Sequence, residues 1–472
     1  MNAGESTAVQ VLPAEALRAD AGVAVAIVGG GACGLTAGLA LQRAGIEAVV
    51  LERDAFPAGS TALSSGFIPA PGTQAQRALG IDDSPERFAA DIQRKAHDQA
   101  APHLVQAYAQ AIGPALDALA EHHGLQWQVL TGFLYPGHSC HRMHAVPEKT
   151  GVGLMSRLLS AADAAGLPVL TQARVTQLFA HADGRIEGLA CERPDGRLET
   201  LRCQVLLLAC NGFGGQAELV RQLLPEMADA IYAGHAGNDG SAILWGRQLG
   251  ARLADLGAYQ GHGSWAVPQG ALISWALMME GGVQVNARGE RFHDETQGYS
   301  EASVKVLAQP GGQAWNVIDD TLLRMAQDFP DFLQAQAAGA VQHCPDLASL
   351  AVQIGCDAET LRQTLDAVRP GHDRQTGRTF RRSLSPPFHA VRVTGALFHT
   401  QGGLDIDADT RVLREDGAPL PNLLAAGGAA RGVSGRAVWG YLSGNGLLSA
   451  VAGGHIAART AQDLLRQFKE DA

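Results

Sequence analysis

The apolar run at residues 23–28 (VAVAIV) breaks into Gly29-Gly30-Gly31-Ala32-Cys33-Gly34. Apolar positions then resume with helical spacing as far as Leu41, and a second run at 47–51 (EAVVL) stops at Glu52. Short continuous apolar runs predict strands buried on both faces of a parallel sheet, and the periodic segment between them predicts a crossover helix. A polar leader, 1–22, precedes this unit, and a helical, moderately polar region follows to about residue 165. Further strands are predicted at 168–170, 173–179, 184–191 and 205–209, the last running into Cys210-Asn211-Gly212-Phe213-Gly214-Gly215.

Near residue 255 the pattern changes to tryptophans, a Met278-Met279 pair and a Pro/Gln-rich stretch that lasts to about 377. From Pro386 β-like segments return, with a strand at 422–426, a Gly-rich run to 454 and a closing helix from Leu447 to Phe468. The predicted organisation is a leader (1–22), an α/β domain in two parts (23–255 and 378–472) and an insert (256–377). A segment that interrupts such a domain and then lets it resume predicts a cap over a ligand.

Composition narrows the partners. The 472 residues carry 36 basic and 47 acidic side chains, a net charge of −11, with no block of basic residues, which argues against nucleic acid and against an anionic membrane surface. Hydrophobic residues make up 46% and aromatics 5%, and 57 glycines suit a Gly-rich α/β protein, so a small-molecule partner is the expectation. Seven scattered cysteines form no C-x-x-C and no zinc spacing, so reduced thiols are expected. Without an apolar leader or a run of 18 apolar residues, no membrane span and a cytoplasmic location are expected.

The first turn reads G-x-G-x-x-G through Gly29, Gly31 and Gly34, with Glu52 at the end of the second strand, 18 residues past the last glycine. The glycines permit a tight turn and close backbone approach, the helix N-terminus faces a pyrophosphate, and the acid accepts hydrogen bonds from a ribose diol. Far along the chain, Ser443-Gly444-Asn445-Gly446 opens a long helix. A nicotinamide nucleotide seldom needs such a distant segment, whereas a flavin has a second ring system, whose reduced form a helix N-terminus stabilises. The pair of features predicts FAD.

The set VAIVGGGACGL with Glu52, Gly59-Ser60-Thr61-Ala62-Leu63-Ser64-Ser65-Gly66, Leu208-Ala209-Cys210-Asn211-Gly212-Phe213, Asn238-Asp239-Gly240, Gly289-Glu290-Arg291-Phe292, His399-Thr400-Gln401-Gly402-Gly403 and Leu424-Ala425-Ala426-Gly427 resembles the fumarate reductase / succinate dehydrogenase flavoprotein superfamily, in particular its 3-ketosteroid dehydrogenase-like branch. The resemblance implies an α/β fold: a Rossmann-like FAD-binding domain with a glutathione-reductase-type βαβ unit and an inserted α+β capping domain. It implies FAD contacts at Gly29, Gly31, Gly34, Glu52, Ser60, Thr61, Ser65, Gly66, Val175, Asn211, Gly212, Asp239, Gly427, Ser443, Gly444, Asn445 and Leu447. Quinone-linked members attach FAD through a histidine where this chain has Ser60, so non-covalent FAD is implied. The usual Glu after Ala-Ala-Gly is Gly428 here.

Charged groups of the fumarate enzymes are missing at three places. Counting from Arg291, their arginine proton donor falls on Tyr299; their Thr-Glu-x-x-Arg reads Ser274-Trp275-Ala276-Leu277-Met278; their C-terminal arginine falls on Tyr441. A buried carboxylate without a partner costs several kcal/mol, so a neutral ketone or enone suits the remaining residues better than a dicarboxylate. By resemblance to the ketosteroid enzymes, Tyr299 is the general acid/base and Tyr441 polarises the carbonyl. His262 and His399 match two family histidines and complete the expected catalytic set. A free tyrosine has a pKa of about 10, so Tyr299 needs a hydrogen-bond network or a positive dipole to act as a base.

The cluster Tyr135, His138, Cys140, His141, Arg142 and His144 matches no metal-ligand spacing, and no metal is expected. By family position it belongs to a loop over the flavin, with Tyr135 or His141 touching substrate. With no second nucleotide motif for NAD(P)H, the electron acceptor is expected to be external. Two other readings fit the same motifs: a fumarate- or tricarballylate-type enzyme with Arg431 and Arg436 beside the C-terminal site and Arg436 as clamp, and a non-catalytic flavin-binding sensor.

Overall fold

The computed structural model describes residues 9–470. These residues divide into two compact units. Unit 1 holds the described residues up to Leu223, then Gly234–Tyr259 and the chain from His399 onward; unit 2 holds Leu224–Ala233 and Gln260–Phe398.

Unit 1 is built on a nine-stranded sheet. Its parallel centre places Leu198–Leu208 between Ala21–Val28 and Pro419–Ala425, with Ala48–Leu51 on the far side of Ala21–Val28. The strands are almost wholly aliphatic where they face the core, and Val25, Ala26, Ile27, Val205, Leu206 and Leu208 are buried. Helix Ala32–Arg43 crosses over from one central strand to the next and packs on the C-terminal helix Asn445–Glu470. Gly454 makes that approach possible, because a Cβ there would sit 2.4 Å from the Cys33 carbonyl oxygen.

Registry matters more than strand count. Leu208 pairs with Val28 and with Ala425, and Val28 pairs with Leu51, so four parallel strands end level with one another. In open α/β sheets that carboxyl edge is where ligands bind.

Unit 2 carries a seven-stranded sheet in which Phe388–Thr400 lies between Tyr259–Ala266 and Gln313–Asp319, with Val283–Val285 beyond. Ile231–Tyr232 and Val341–Cys344 also pair with Phe388–Thr400. Helix Tyr299–Leu307 packs on strand Tyr259–Ala266 through glycines: a Cβ on Gly261 would meet Ser303 Oγ at 2.1 Å, and one on Gly263 would meet Ala302 Cβ at 2.6 Å.

The expected insert, 256–377, differs from unit 2 at both ends. Residues 378–398 stay in unit 2 because the long strand Phe388–Thr400 is the middle of its sheet, and 224–233 belong to it because Ile231–Tyr232 pairs with that same strand. Part of the expected leader is also structured: Gln10–Pro13 forms a short strand parallel to Arg174–Ala180. The remainder of the leader before residue 9 lies outside the described residues.

Candidate active site

At the carboxyl edge of the unit 1 sheet the three motif glycines differ in why they are glycine. Gly29 has φ +113°, and a Cβ there would lie 2.4 Å from the Ala209 carbonyl oxygen; on Gly34 it would lie 2.0 Å from the Gly29 carbonyl oxygen. Those two are packing requirements. Gly31, the residue before helix Ala32–Arg43, would meet only Thr61 Oγ1 at 3.5 Å, and it has no side chain to cap the helix. Thr61 partly replaces that cap by accepting from the Ala32 N–H at 3.1 Å. The bare side of Gly31 is where a phosphate can approach the helix N-terminus.

Glu52 is buried and holds the turn from the other side. Its Oε2 accepts from the Gly30 N–H and its Oε1 from the Asp54 N–H, both at 2.9 Å. Each oxygen keeps a lone pair for a ribose hydroxyl. Asp239 forms an ion pair with Arg53 at 3.4 Å and accepts from the Ser241 N–H. Val175 is a buried residue of strand Arg174–Ala180, and Ser65 is exposed after helix Gly59–Leu63. Gly66, at φ +72°, sits where a Cβ would lie 2.6 Å from the Thr150 carbonyl oxygen.

Ser60 does not stand where it could be replaced freely: its Oγ accepts from the side-chain amides of Asn211 and Asn238, each at 2.9 Å. Asn211 is left-handed at φ +66° and uses Oδ1 to accept from the Gly212 N–H. A Cβ on Gly212 would fall 1.9 Å from Thr400 Oγ1, and one on Gly428 would fall 2.0 Å from Asn211 Oδ1. Gly428 is therefore what allows Asn211 its conformation. Gly427, at φ +62°, lies against Cys33.

The C-terminal helix begins at Asn445, two residues before the expected start, because Gly444 at φ +89° turns the chain directly into it. Asn445 is fully buried and its Oδ1 has no hydrogen-bond partner among the described residues. The Ser443 carbonyl accepts from His138 Nε2 at 2.9 Å, and Leu447 is half-buried on the first turn. In the same unit the Tyr441 ring meets the His399 ring edge to face, with centroids 5.7 Å apart. A Cβ on Gly446 would lie 2.8 Å from the His399 ring. Burial pulls the His399 imidazole down to about 4, so it is neutral at pH 7.

The Tyr135–His144 cluster is held by buried ion pairs, hydrogen bonds and ring contacts. Arg142 is buried and pairs with Asp83 at 2.9 Å and with Asp91. It also faces His138 Nδ1 at 3.2 Å, leaving His138 to donate from Nε2 to the Ser443 carbonyl. His144 bonds Thr73 at 2.7 Å, and Tyr135 packs edge-on against Phe133 and Phe67. The link from His138 to Ser443 spans 305 positions, and no local signal in the sequence points to it.

In unit 2, Tyr299 and His262 are brought together. Tyr299 is the first residue of helix Tyr299–Leu307, whose N-terminus is the positive end of the helix dipole. Its ring stacks on the His262 ring at 5.0 Å and 19°, while Phe398 stacks on His262 at 5.7 Å and Trp275 meets it edge-on at 5.8 Å. His262 Nδ1 accepts from the Ser264 N–H, and burial pulls the ring down to about 3. Met279 and Phe292 belong to the same apolar cluster as Tyr299.

Sequence reasoning missed what holds this wall. Glu295, fully buried, accepts from Arg291 at 2.7 Å and 3.1 Å and from Arg378 at 2.7 Å, and Arg291 also pairs with Asp373. These arginines hold the Glu295 carboxyl at about 2, against the cost of burial. Trp275 Nε1 donates to the Glu295 carbonyl oxygen, and Arg378 donates to the Gly282 and Met278 carbonyls. The i,i+4 spacing of Arg291 and Glu295 was readable; Arg378, 83 positions further on, was not.

A family model described as an FAD binding domain matches residues 24–447. The chain belongs to the FAD binding domain family. Its cofactor is FAD, and the level strand ends, the bare Gly31, the buried Glu52 and the orphaned Asn445 Oδ1 fit that group. A curated relative, the NADH:fumarate oxidoreductase of Klebsiella pneumoniae (strain 342), is 27% identical over 93% of this chain, and the chain spans 48% of that protein's length. A flavocytochrome c3 fumarate reductase in its open conformation superposes with a TM-score of 0.81 at 26% identity, covering 96% of this chain and 80% of that one. The 3-ketosteroid-delta4-(5alpha)-dehydrogenase from Rhodococcus jostii RHA1 shares the fold, with a TM-score of 0.77 at 24% identity over 96% of this chain and 99% of that one. The resemblance on the motifs is thus found again in whole-chain similarity. Among the described residues no helix is long and apolar enough to cross a membrane.

Proposed function

We propose that this FAD-dependent oxidoreductase exchanges a hydride with one carbon of a C–C bond next to a carbonyl, desaturating a ketone or reducing its enone, while Tyr299 transfers a proton at the neighbouring carbon. FAD, bound without a covalent link, supplies the hydride acceptor or donor. Tyr441 donates a hydrogen bond to the substrate carbonyl, and neutral His399 orients beside it. Tyr299 works at a helix N-terminus, where developing negative charge on the phenolic oxygen is favoured. Electrons pass onward to an external acceptor.

The observation that carries this reading is the character of the wall around Tyr299. The neutral His262 stacks on it and Trp275, Phe292 and Met279 share its apolar cluster, while Arg291 and Arg378 are consumed by Glu295. In unit 1, Arg431 is likewise neutralised by Asp255 at 2.6 Å and Asp405 at 3.2 Å. An apolar wall with its cations already paired favours a neutral substrate.

A carboxylate substrate of the fumarate or tricarballylate kind is the second reading. The exposed Arg436 and the similarity to a fumarate oxidoreductase favour it. The test is anaerobic bleaching of the flavin band by cyclic ketones, and reoxidation of reduced protein by enones, fumarate and tricarboxylates. Fast reoxidation by fumarate, with none by enones, would falsify the ketone reading. A flavin that no small molecule reduces or reoxidises, yet whose redox state changes partner binding, would make the protein a sensor.

A further inference from the structure

Four polar side chains of unit 1, three of them buried and His399 half-buried, run in an unbroken file. Asn445 Nδ2 lies 3.0 Å from Ser434 Oγ, Ser434 Oγ lies 2.8 Å from Gln401 Oε1, and Gln401 Nε2 lies 3.3 Å from His399 Nδ1. Asn445, Ser434 and Gln401 are all buried. A serine hydroxyl has one proton, and each amide has a donor end and an acceptor end.

The file therefore has two self-consistent directions. In one, Asn445 donates to Ser434, Ser434 to Gln401, and Gln401 to His399 Nδ1, which leaves the imidazole proton on Nε2. In the other, His399 Nδ1–H donates to Gln401, Gln401 to Ser434, and Ser434 to Asn445 Oδ1, which leaves Nε2 a bare acceptor. The Thr400 carbonyl, 3.3 Å from Nδ1, is a second acceptor for the Nδ1–H form. Reversal at one end reverses every bond between.

We infer that Asn445, Ser434, Gln401 and His399 form a hydrogen-bond wire that ties the proton-bearing nitrogen of His399 to the amide face that Asn445 presents at the start of the C-terminal helix. Asn445 keeps one amide atom outside the file, Oδ1 in the first direction, and that atom has no partner among the described residues. Whatever polar group meets it selects the direction, and so decides whether His399 Nε2 offers a proton or a lone pair. The functional half of the inference, that the group is the flavin, rests on the reading of this loop as a flavin contact. Gln401, Ser434 and Asn445 are on this account positioning residues for His399.

The experiment is 15N NMR of histidine-labelled holoenzyme, with the His399 signals identified by their loss in His399→Gln. Asn445→Asp presents only acceptors, so Ser434 must donate to it and His399 is expected to carry its proton on Nδ1. Adding Ser434→Ala cuts the file, and the displacement is expected to vanish. Gln401→Glu is expected to draw the proton to Nδ1 and raise the titration of His399, and Gln401→Met to release it to a mixture of both forms. A His399 spectrum unchanged by Asn445→Asp overturns the wire. So does a displacement that survives Ser434→Ala, or one spectrum shared by the wild type and both Gln401 variants. The file is made of unit 1 residues alone, so the tautomer is read whether or not a variant keeps FAD. FAD content, taken from the visible band, scores the flavin reading separately.

Discussion

The Tyr299 and His262 rings lie face to face, 5.0 Å apart and 19° from parallel, in the wall that the ion cluster around Glu295 holds in place. Stacking on a neutral imidazole fixes the direction of the phenolic oxygen without offering it a counter-charge, and the helix N-terminus supplies the favourable field instead. Tyr299→Phe keeps the ring and its stacking. Flavin reduction by a competent ketone is expected to fall about 10²- to 10⁴-fold, with FAD content unchanged, in stopped-flow traces of the flavin band. Near-normal reduction would remove Tyr299 from the mechanism and leave His262 or His399 in its place.

Glu52→Ala removes two backbone hydrogen bonds from the first glycine turn and the acceptor for the ribose. FAD retention is expected to weaken by about 1.5–3 kcal/mol, the usual worth of a hydrogen bond to a charged group. Fluorescence titration of the apoprotein with FAD measures it, and an unchanged dissociation constant would place the ribose elsewhere.

Gly34→Ala drives a methyl group to 2.0 Å from the Gly29 carbonyl oxygen, against backbone that cannot yield. Gly31→Ala meets nothing closer than 3.5 Å. The first variant is expected to lose both FAD and thermal stability, and the second to fold normally while binding FAD less tightly. Identical behaviour of the two would contradict the separation of packing and phosphate roles.

Glu295→Gln leaves Arg291 and Arg378 buried without their shared counter-charge. Breaking a buried pair by removing one partner costs about 3–5 kcal/mol, so a large drop in Tm is expected. Rescue of Tm by high salt would mean that the cluster is solvent-screened after all.

His138, His144, His293 and His399 are pulled down to about 4, and His262 to about 3, chiefly by burial. The folded chain keeps them neutral while the unfolded chain takes up protons near 6.5, so their contribution is whole above that pH and is lost as pH falls toward 4. Each site costs up to about 1.4 kcal/mol per pH unit in that window. Glu295, Asp91 and Asp373, held at about 2, add their own loss only below the ordinary carboxylate range. Tm is expected to fall between pH 7 and pH 5, and a flat profile would show that these rings are solvated.

The βαβ unit was legible because its strands are buried on both faces and read as plain apolar runs, and because Gly34 is required by a backbone contact only five residues away, at the Gly29 carbonyl oxygen. The strand Gln10–Pro13 was not, since four residues at a sheet edge carry no period that separates them from a loop. The compact unit extends past the expected end of the insert for a different reason: residues 388–398 look like any returning strand, and only their partners in Gln313–Asp319 and Val341–Cys344 assign them to unit 2. The four proposed catalytic residues could be named from spacing against a family pattern. What fixes them, His138 on Ser443, Gln401 on His399 and Arg378 on Glu295, depends on hydrogen-bond direction or on residues far apart in the chain, and no periodicity encodes that.

Asn211 and Gly428 cannot be inherited separately. A side chain at 428 needs the space that the Asn211 amide oxygen fills, and moving that amide forfeits its bonds to Ser60 and to the Gly212 N–H. Restoring an acidic side chain at 428 alone would be deleterious even if it gained a contact with the cofactor, whereas the same change made together with a smaller residue at 211 opens the position. The pair thus behaves as an epistatic lock: mutational paths, natural or in the laboratory, cross it only by changing both sites, and saturation of 428 by itself will return little besides glycine.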